Sequence, residues 1–229
     1  MSLILALETS TKNCSVALAD GEIILASRQE SSDQFIHSEK LHLFIEEVLA
    51  TAGHSPQALK AVAVGKGPGS YTGLRIGVSA AKGLCYALGI PLIATDGLSI
   101  LAREFVHRLK PAEGELILPM LDARRMEVYT AVFDHKAQRQ TEIEAVVLEA
   151  GSFAELEAGA IHLIGDGAEK AKQLLTGERF RYHPMLFPSA QTLAVQAAAK
   201  YQRHEFEDVA YFEPFYLKDF IAGKARKLL

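Results

Sequence analysis

The order of local patterns along the chain repeats once, and that repetition narrows the possible folds more than any motif. Residues 3–7, LILAL, are a short apolar run of the kind a buried strand shows. CSVALAD (14–20) and EIILASRQ (22–29) follow as two more strands, joined at Asp20-Gly21, a strong hairpin signal. From Ser38 the period changes: Leu41, Phe44, Ile45, Val48, Leu49 and Ala52 recur at helical spacing, and Gly53 supplies a stop. AVAVG (61–65) is then a strand, 72–88 a helix closed by Gly89, PLIAT (91–95) a strand, and 97–109 a helix ending before Pro111. The second half starts again with three strands, ELILPML (115–121), MEVYTAVF (126–133) and IEAVVLE (143–149). A short helix over 152–157, the strand IHLIG (161–165), a helix from Ala168 and an alanine-rich helix near 190–204 complete it.

Each half therefore runs strand, strand, strand, helix, strand, helix, and a shared order of this length signals duplication. Strands alternating with helices make a mixed sheet with helices on its faces. Two βββαβα units with a cleft between them are the architecture of actin, the sugar kinases and the heat-shock ATPases. The expected class is α/β, a duplicated actin-like (ASKHA, ribonuclease H-like) fold of mixed sheets flanked by helices. Its subdomains are expected at 1–110 and 111–229.

The 229 residues are 49% hydrophobic and 23% charged, enough apolar material for such cores and too much for a disordered chain. The formal net charge of −4 lacks the basic surplus of a protein that binds nucleic acid by itself. Two cysteines, Cys14 and Cys85, exclude a disulfide framework and a cysteine-rich metal site. MSLILALETS has no basic leader region, and no apolar stretch reaches the ~18 residues that span a bilayer. A cytoplasmic protein with no membrane association is expected. Residues 216–229 lose periodicity and carry Lys218, Lys224, Arg226 and Lys227, which reads as a mobile, solvated tail.

The stretch AVGKGPGSYTGLRIGVSAAKGLCYALG (63–89) has the strand, glycine loop and helix of a phosphate cradle, but not the chemistry. A Walker loop ends in Gly-Lys-Ser/Thr, so that the lysine reaches the outer phosphates and the hydroxyl holds magnesium; here Lys66 lies inside the loop and TGLR replaces that ending. Pro68 also breaks the dinucleotide fingerprint. The turn at Glu8, Thr9, Ser10 and Thr11 is where an actin-like fold grips a β-phosphate, yet no glycine opens it, so it reads as a vestigial, structural turn without a cofactor. His37 and His42 would point about 140° apart on a helix and cannot readily share a cation. His54, His107, His135, His162, His183 and His204 lack cysteine or carboxylate neighbours at ligand spacing, so no metal is expected. There is no G-x-S-x-G elbow and no HExxH, and LDARRMEVY (121–129) reads as a hairpin entry.

The helix over 72–88 is informative because it carries two apolar faces. At about 100° per residue, Leu74, Val78, Ala81, Cys85 and Leu88 share one, and Ile76, Ala80, Gly83 and Ala87 form the other. A surface helix needs only one stripe. Either this helix is sandwiched within the fold, or its second face of small residues lets a helix from another chain approach closely.

Taken together, ILALETSTKNCSVAL, GKGPGSYTGLRIGVSAAKGL, IPLIATDGLSILA, LDARRMEVY and EPFYLKD resemble one family over nearly the whole chain. It is the TsaB (YeaZ-type) family, subunits of the bacterial machinery for tRNA threonylcarbamoyladenosine. The resemblance implies an actin-like fold and a non-catalytic role as dimerisation partner of TsaD, which transfers threonylcarbamoyl to the adenosine beside the anticodon. A small ATPase, TsaE, completes the set, and tRNA is met only through the complex. The catalytic cousin has an HxxxH metal motif where this chain has Asp96 and Ile100. The helix over 38–52 keeps Leu43 and Ala50 off its main stripe, among Glu39, Glu46 and Glu47. With Ile76, Ala80, Gly83 and Ala87 they are expected to form half of a helical bundle, completed by TsaD or, when the chain is alone, by a second copy. The alternatives are an independent actin-like small-molecule kinase or ATPase, or a metallopeptidase.

Overall fold

The computed structural model describes residues 2–32, 36–183 and 186–218. The first sheet contains β1 (Leu3–Glu8), β2 (Asn13–Asp20), β3 (Ile23–Ser31), β4 (Ala61–Gly65) and β5 (Leu92–Thr95), in the order β3-β2-β1-β4-β5. β1, β2 and β3 form an antiparallel meander, turned at Gly21 with φ +60°, a left-handed backbone that glycine adopts at no steric cost. β4 and β5 then add in parallel.

The second sheet contains β6 (Leu116–Asp122), β7 (Glu127–Thr130), β8 (Glu144–Val147), β9 (Ile161–Ile164) and β10 (Phe180–His183), in the order β10-β9-β6-β7-β8. Reversed, that is the same sequence of placements: third, second, first, fourth, fifth. Strand directions match as well, antiparallel across β6, β7 and β8 and parallel across β6, β9 and β10. The chain thus has the duplicated actin-like fold.

Side-chain size sorts the two faces of the first sheet. Because strand residues alternate, Leu3, Leu5 and Leu7 of β1, Val16 and Leu18 of β2 and Val62 and Val64 of β4 share one core. It is covered by α1 (His37–Thr51) and α2 (Tyr71–Leu88). The opposite face is small, with Ala6, Ala17, Ala19, Ala61 and Ala63. Against it lies α5 (Ala190–Gln202), which presents Ala190, Leu193, Ala194, Ala197 and Ala198. Alanine against alanine lets this helix sit close to the sheet. α3 (Gly97–Leu109) packs on the second sheet, where Leu98, Leu101 and Phe105 meet Ile117, Leu121 and Ile164. Each sheet is therefore closed by a helix contributed from the other half.

Local chemistry explains the helix ends. Ser70 caps α2 by accepting from the Gly73 amide, and Gly89 at φ 64° terminates it. Asp96 caps α3 and Ser189 caps α5 in the same way. Three sequence expectations change. Residues 152–157 form turns rather than a helix, the helix from Ala168 is the single turn α4 (Ala168–Ala171), and Phe180–His183 is a strand that periodicity does not reveal. FRYH is short, half-buried and on a sheet edge, so it carries neither alternation nor a continuous apolar run.

Candidate functional site

The turn after β1 is sealed. Glu8, Thr9 and Ser10 are almost completely buried and Thr11 nearly so, which leaves the turn no exposed surface for a phosphate. Glu8 Oε1 accepts from the Ser10 amide at 2.7 Å, while Oε2 has no hydrogen-bond partner. Burial pushes the Glu8 carboxyl above the usual carboxylate range, which favours its neutral form.

What seals the turn is the glycine stretch itself. The Ser70 amide donates to the Ser10 carbonyl at 2.7 Å, and the Thr9 hydroxyl donates to the Gly73 carbonyl at 2.8 Å. A Cβ on Gly69 would overlap the Ser10 carbonyl, one on Gly73 the Thr9 carbonyl, one on Gly77 the Thr9 hydroxyl, and one on Gly65 the Glu8 carboxyl. Gly69, Gly73 and Gly77 thus form a third face of α2 and its approach, at fourfold spacing, spent on contact within the chain. That spacing is visible in GSYTGLRIG, and it is the signal that a count of two apolar faces misses.

The second apolar face of α2 points outward. Leu74, Val78, Ala81 and Cys85 are buried beneath the helix, whereas Ile76 and Ala80 are half-buried and Gly83 and Ala87 exposed. A Cβ built on Gly83 meets nothing within 4 Å. On α1, Leu43 is 52% exposed and Ala50 is exposed, flanked by exposed Glu39 and Glu46, while Glu47 pairs with Arg28 of β3 at 2.7 Å. α1 and α2 are neighbours, and each has apolar or small residues among its outward side chains. Tyr86 of α2 is 86% exposed.

A C-terminal arm braces α2 from the other side. Lys82 Nζ donates to the carbonyls of Ala210 and Phe212 at 3.1 and 2.9 Å, and the Phe215 amide donates to the Lys66 carbonyl at 2.7 Å. The Tyr216 ring lies 4.9 Å from that of Tyr71, and Lys218 pairs with Glu127. Residues 216–218 are therefore packed rather than a free tail. Lys224, Arg226 and Lys227 lie outside the described residues.

Asp96 and Ile100 do structural work. Both carboxylate oxygens of Asp96 accept from Ser99, from its amide and its hydroxyl, each at 2.8 Å. Ile100 is fully buried against the alanine core under the first sheet. His37 is buried and His42 exposed, so the two do not converge. The structure does bring two other histidines together: His162 on β9 and His183 on β10 lie 3.1 Å apart, with Glu115 beyond His162. Residues 21 and 47 apart in sequence meet only through parallel strand pairing, which linear spacing does not display. A cavity of about 280 Å³ opens between β2, β3 and the start of α5. Its polar groups satisfy one another: Asn13 accepts from Ser31 at 3.0 Å, and Ser189 and Arg108 both bind Glu104.

Comparison with known proteins converges on one group. Residues 32–220 match the family described as TsaD: tRNA N6-adenosine threonylcarbamoyltransferase. The tRNA threonylcarbamoyladenosine biosynthesis protein TsaB of Escherichia coli is 28% identical over 228 residues, 96% of each chain. That of Bacillus subtilis is 38% identical over 133 residues, 58% of this chain and 56% of its own. The solved structure of YeaZ from Pseudomonas aeruginosa superposes with a TM-score of 0.83 at 29% identity, over 95% of this chain and all of that one. The chain belongs to the TsaD family of tRNA N6-adenosine threonylcarbamoyltransferases, as a member of its TsaB (YeaZ) type.

Proposed function

We propose that this chain serves tRNA threonylcarbamoyladenosine biosynthesis as a non-catalytic subunit that docks the catalytic homologue TsaD through α1 and α2. The observation that carries the reading is the open space above Gly83, together with the outward Leu43, Ala50, Ile76, Ala80 and Ala87. Small residues lower the profile of a helix, so a second helix pair can cross it at short distance. Exposed apolar side chains on two neighbouring helices support a partner site there. In the absence of TsaD a second copy covers the same surface by two-fold symmetry. The exposed acidic residues Glu39 and Glu46 of α1 favour a partner that is basic there.

The chain makes no transfer site of its own. Where the catalytic cousin has two histidines, the Asp96 carboxylate is occupied as a helix cap and Ile100 is packed in a core. Its contribution is to hold the partner. TsaE joins the assembly, and tRNA contact is made through the complex, in keeping with a net charge of −4. The sealed turn at Glu8 to Thr11 and the capping role of Asp96 favour neither an independent kinase nor a metallopeptidase.

Gly83→Arg tests the proposal. The site has open space for the side chain, so at a concentration where the parent is also monomeric the variant should melt within a few degrees of it. Burying the new charge at a helix crossing costs about 3 kcal/mol or more, a loss of at least about a hundredfold in affinity for TsaD. Calorimetric titration with TsaD and size exclusion read this directly. A folded variant that binds TsaD with parental affinity places the interface elsewhere.

A further inference from the structure

Glu115, one residue before β6, His162 on β9 and His183 on β10 form a hydrogen-bonded chain across the second sheet. His162 Nε2 lies 3.1 Å from Glu115 Oε2, and His162 Nδ1 lies 3.1 Å from His183 Nε2. Glu115 Oε1 also accepts from Arg181 at 3.0 Å, and Oε2 from the Ala112 amide at 2.8 Å. Phe105 of α3 covers both imidazoles, with its centroid 4.9 Å from each. The charged groups facing the pair are thus Glu115 from the approach to β6 and Arg181 from β10. α3 offers the Phe105 ring, and its own Glu104 and Arg108 are paired with each other.

Counting hydrogens shows what this chain can hold. With both rings neutral, His162 donates through Nε2 to Glu115 and accepts at Nδ1 from the Nε2–H of His183. One added proton is accommodated, because a single hydrogen still lies between the two rings and the carboxylate balances the charge. A second proton puts hydrogens on both facing nitrogens, 3.1 Å apart, and turns a bond into a repulsion between cations beside Arg181. β10 is an edge strand of four residues, paired on one side to β9. Phe180 and Tyr182 anchor its other face in the core, so the imidazole chain is what fixes the face toward α3.

We propose that Glu115, His162 and His183 form a latch that holds edge strand β10 on the second sheet, tolerates one added proton and releases when a second arrives. Burial, then the neighbouring His162 and Arg181, hold the His183 imidazole below its ordinary range, in the same direction. A histidine depressed in the folded state supports folding above its unfolded value of about 6.5 and loses that support as pH falls through the folded value. The strand should therefore loosen below about pH 6.5, before carboxylates titrate.

Hydrogen exchange on the full chain, corrected for intrinsic rates, tests the latch. Between pH 7.5 and 5.5, protection of the amides in 180–183 should fall by about three- to tenfold, the upper limit for one excluded proton, while that of β6 and β4 changes less than twofold. His183→Gln should abolish this selective pH dependence. Should that variant fail to fold, ring NMR of the parent gives the answer: His183 titrating at least one unit below a free imidazole supports the latch. Protection in 180–183 that follows the rest of the sheet, or a His183 that titrates as a free imidazole, overturns it.

Discussion

The Thr9 hydroxyl donates to the Gly73 carbonyl at 2.8 Å, and a methyl group on Gly73 would overlap the Thr9 carbonyl oxygen. Helix and turn touch backbone to backbone, so neither can give way through a side-chain rotation. Gly73→Ala should destabilise the chain by about 2–3 kcal/mol or more, as overpacking against fixed backbone does, and Gly77→Ala by about 1–3 kcal/mol, because it displaces the Thr9 hydroxyl from its bond to Gly73. Gly83→Ala, on the same helix over open space, should instead stabilise by about 0.5–1 kcal/mol through helix propensity. Chemical denaturation of the three variants checks the contrast. Equal effects at the three positions would remove the case for a sealed turn.

A second prediction turns on Glu8, whose carboxyl is held above its ordinary range by burial, against opposing hydrogen bonds from Ser10 and Thr9. A carboxyl raised in the folded state gives stability that is present below its unfolded value, near 4.3, and is lost as pH rises through the folded value. Glu8→Gln keeps an oxygen to accept from the Ser10 amide and never ionises. It should match the parent at pH 4 and exceed it at pH 8, by about 1.4 kcal/mol for each unit of displacement. Denaturation midpoints across that range measure it, and a parent that gains on the variant as pH rises would contradict it.

The two thiols should be inert in the folded chain. Both are buried, and desolvation pushes Cys14 up to about 12 and Cys85 up to about 11. A thiolate is the reactive form. A disulfide-exchange reagent at pH 8 should label neither until denaturant unfolds the protein, and labelling at the rate of a free thiol would show an open core.

Much of the fold is legible because its signals are local. Asp20-Gly21 marks the first hairpin, Ser70 and Gly89 bracket α2, and strands such as β1, β4 and β5 are uninterrupted apolar runs or nearly so. β10 is not legible, because FRYH becomes a strand only by pairing with β9. The same pairing hides the meeting of His162 with His183. Helical angles divide α2 into two apolar faces but do not say which is core; the structure buries Leu74, Val78, Ala81 and Cys85 and leaves Gly83 and Ala87 exposed. Angles do not tell the glycines apart, although Gly73 and Gly77 serve an internal contact and Gly83 an open surface. That distinction depends on what lies opposite each residue, and a sequence does not place the Thr9 turn there.

The small-residue face of the first sheet is covered by α5, from the far end of the chain. On a ribosome, β5 is complete about a hundred residues before α5 exists, and at roughly 5–20 residues per second that gap lasts many seconds. Throughout it, Ile4, Ile93 and the alanines around them lack their covering helix and have only Ile100 of α3 against them. Nascent chains of this protein should therefore stay protease-sensitive until α5 has left the exit tunnel, and the first half should be a natural client for a chaperone that shields apolar sheet surface. Closing each half with the other's helix makes a compact product, and it makes the completed product the first stable species along the way.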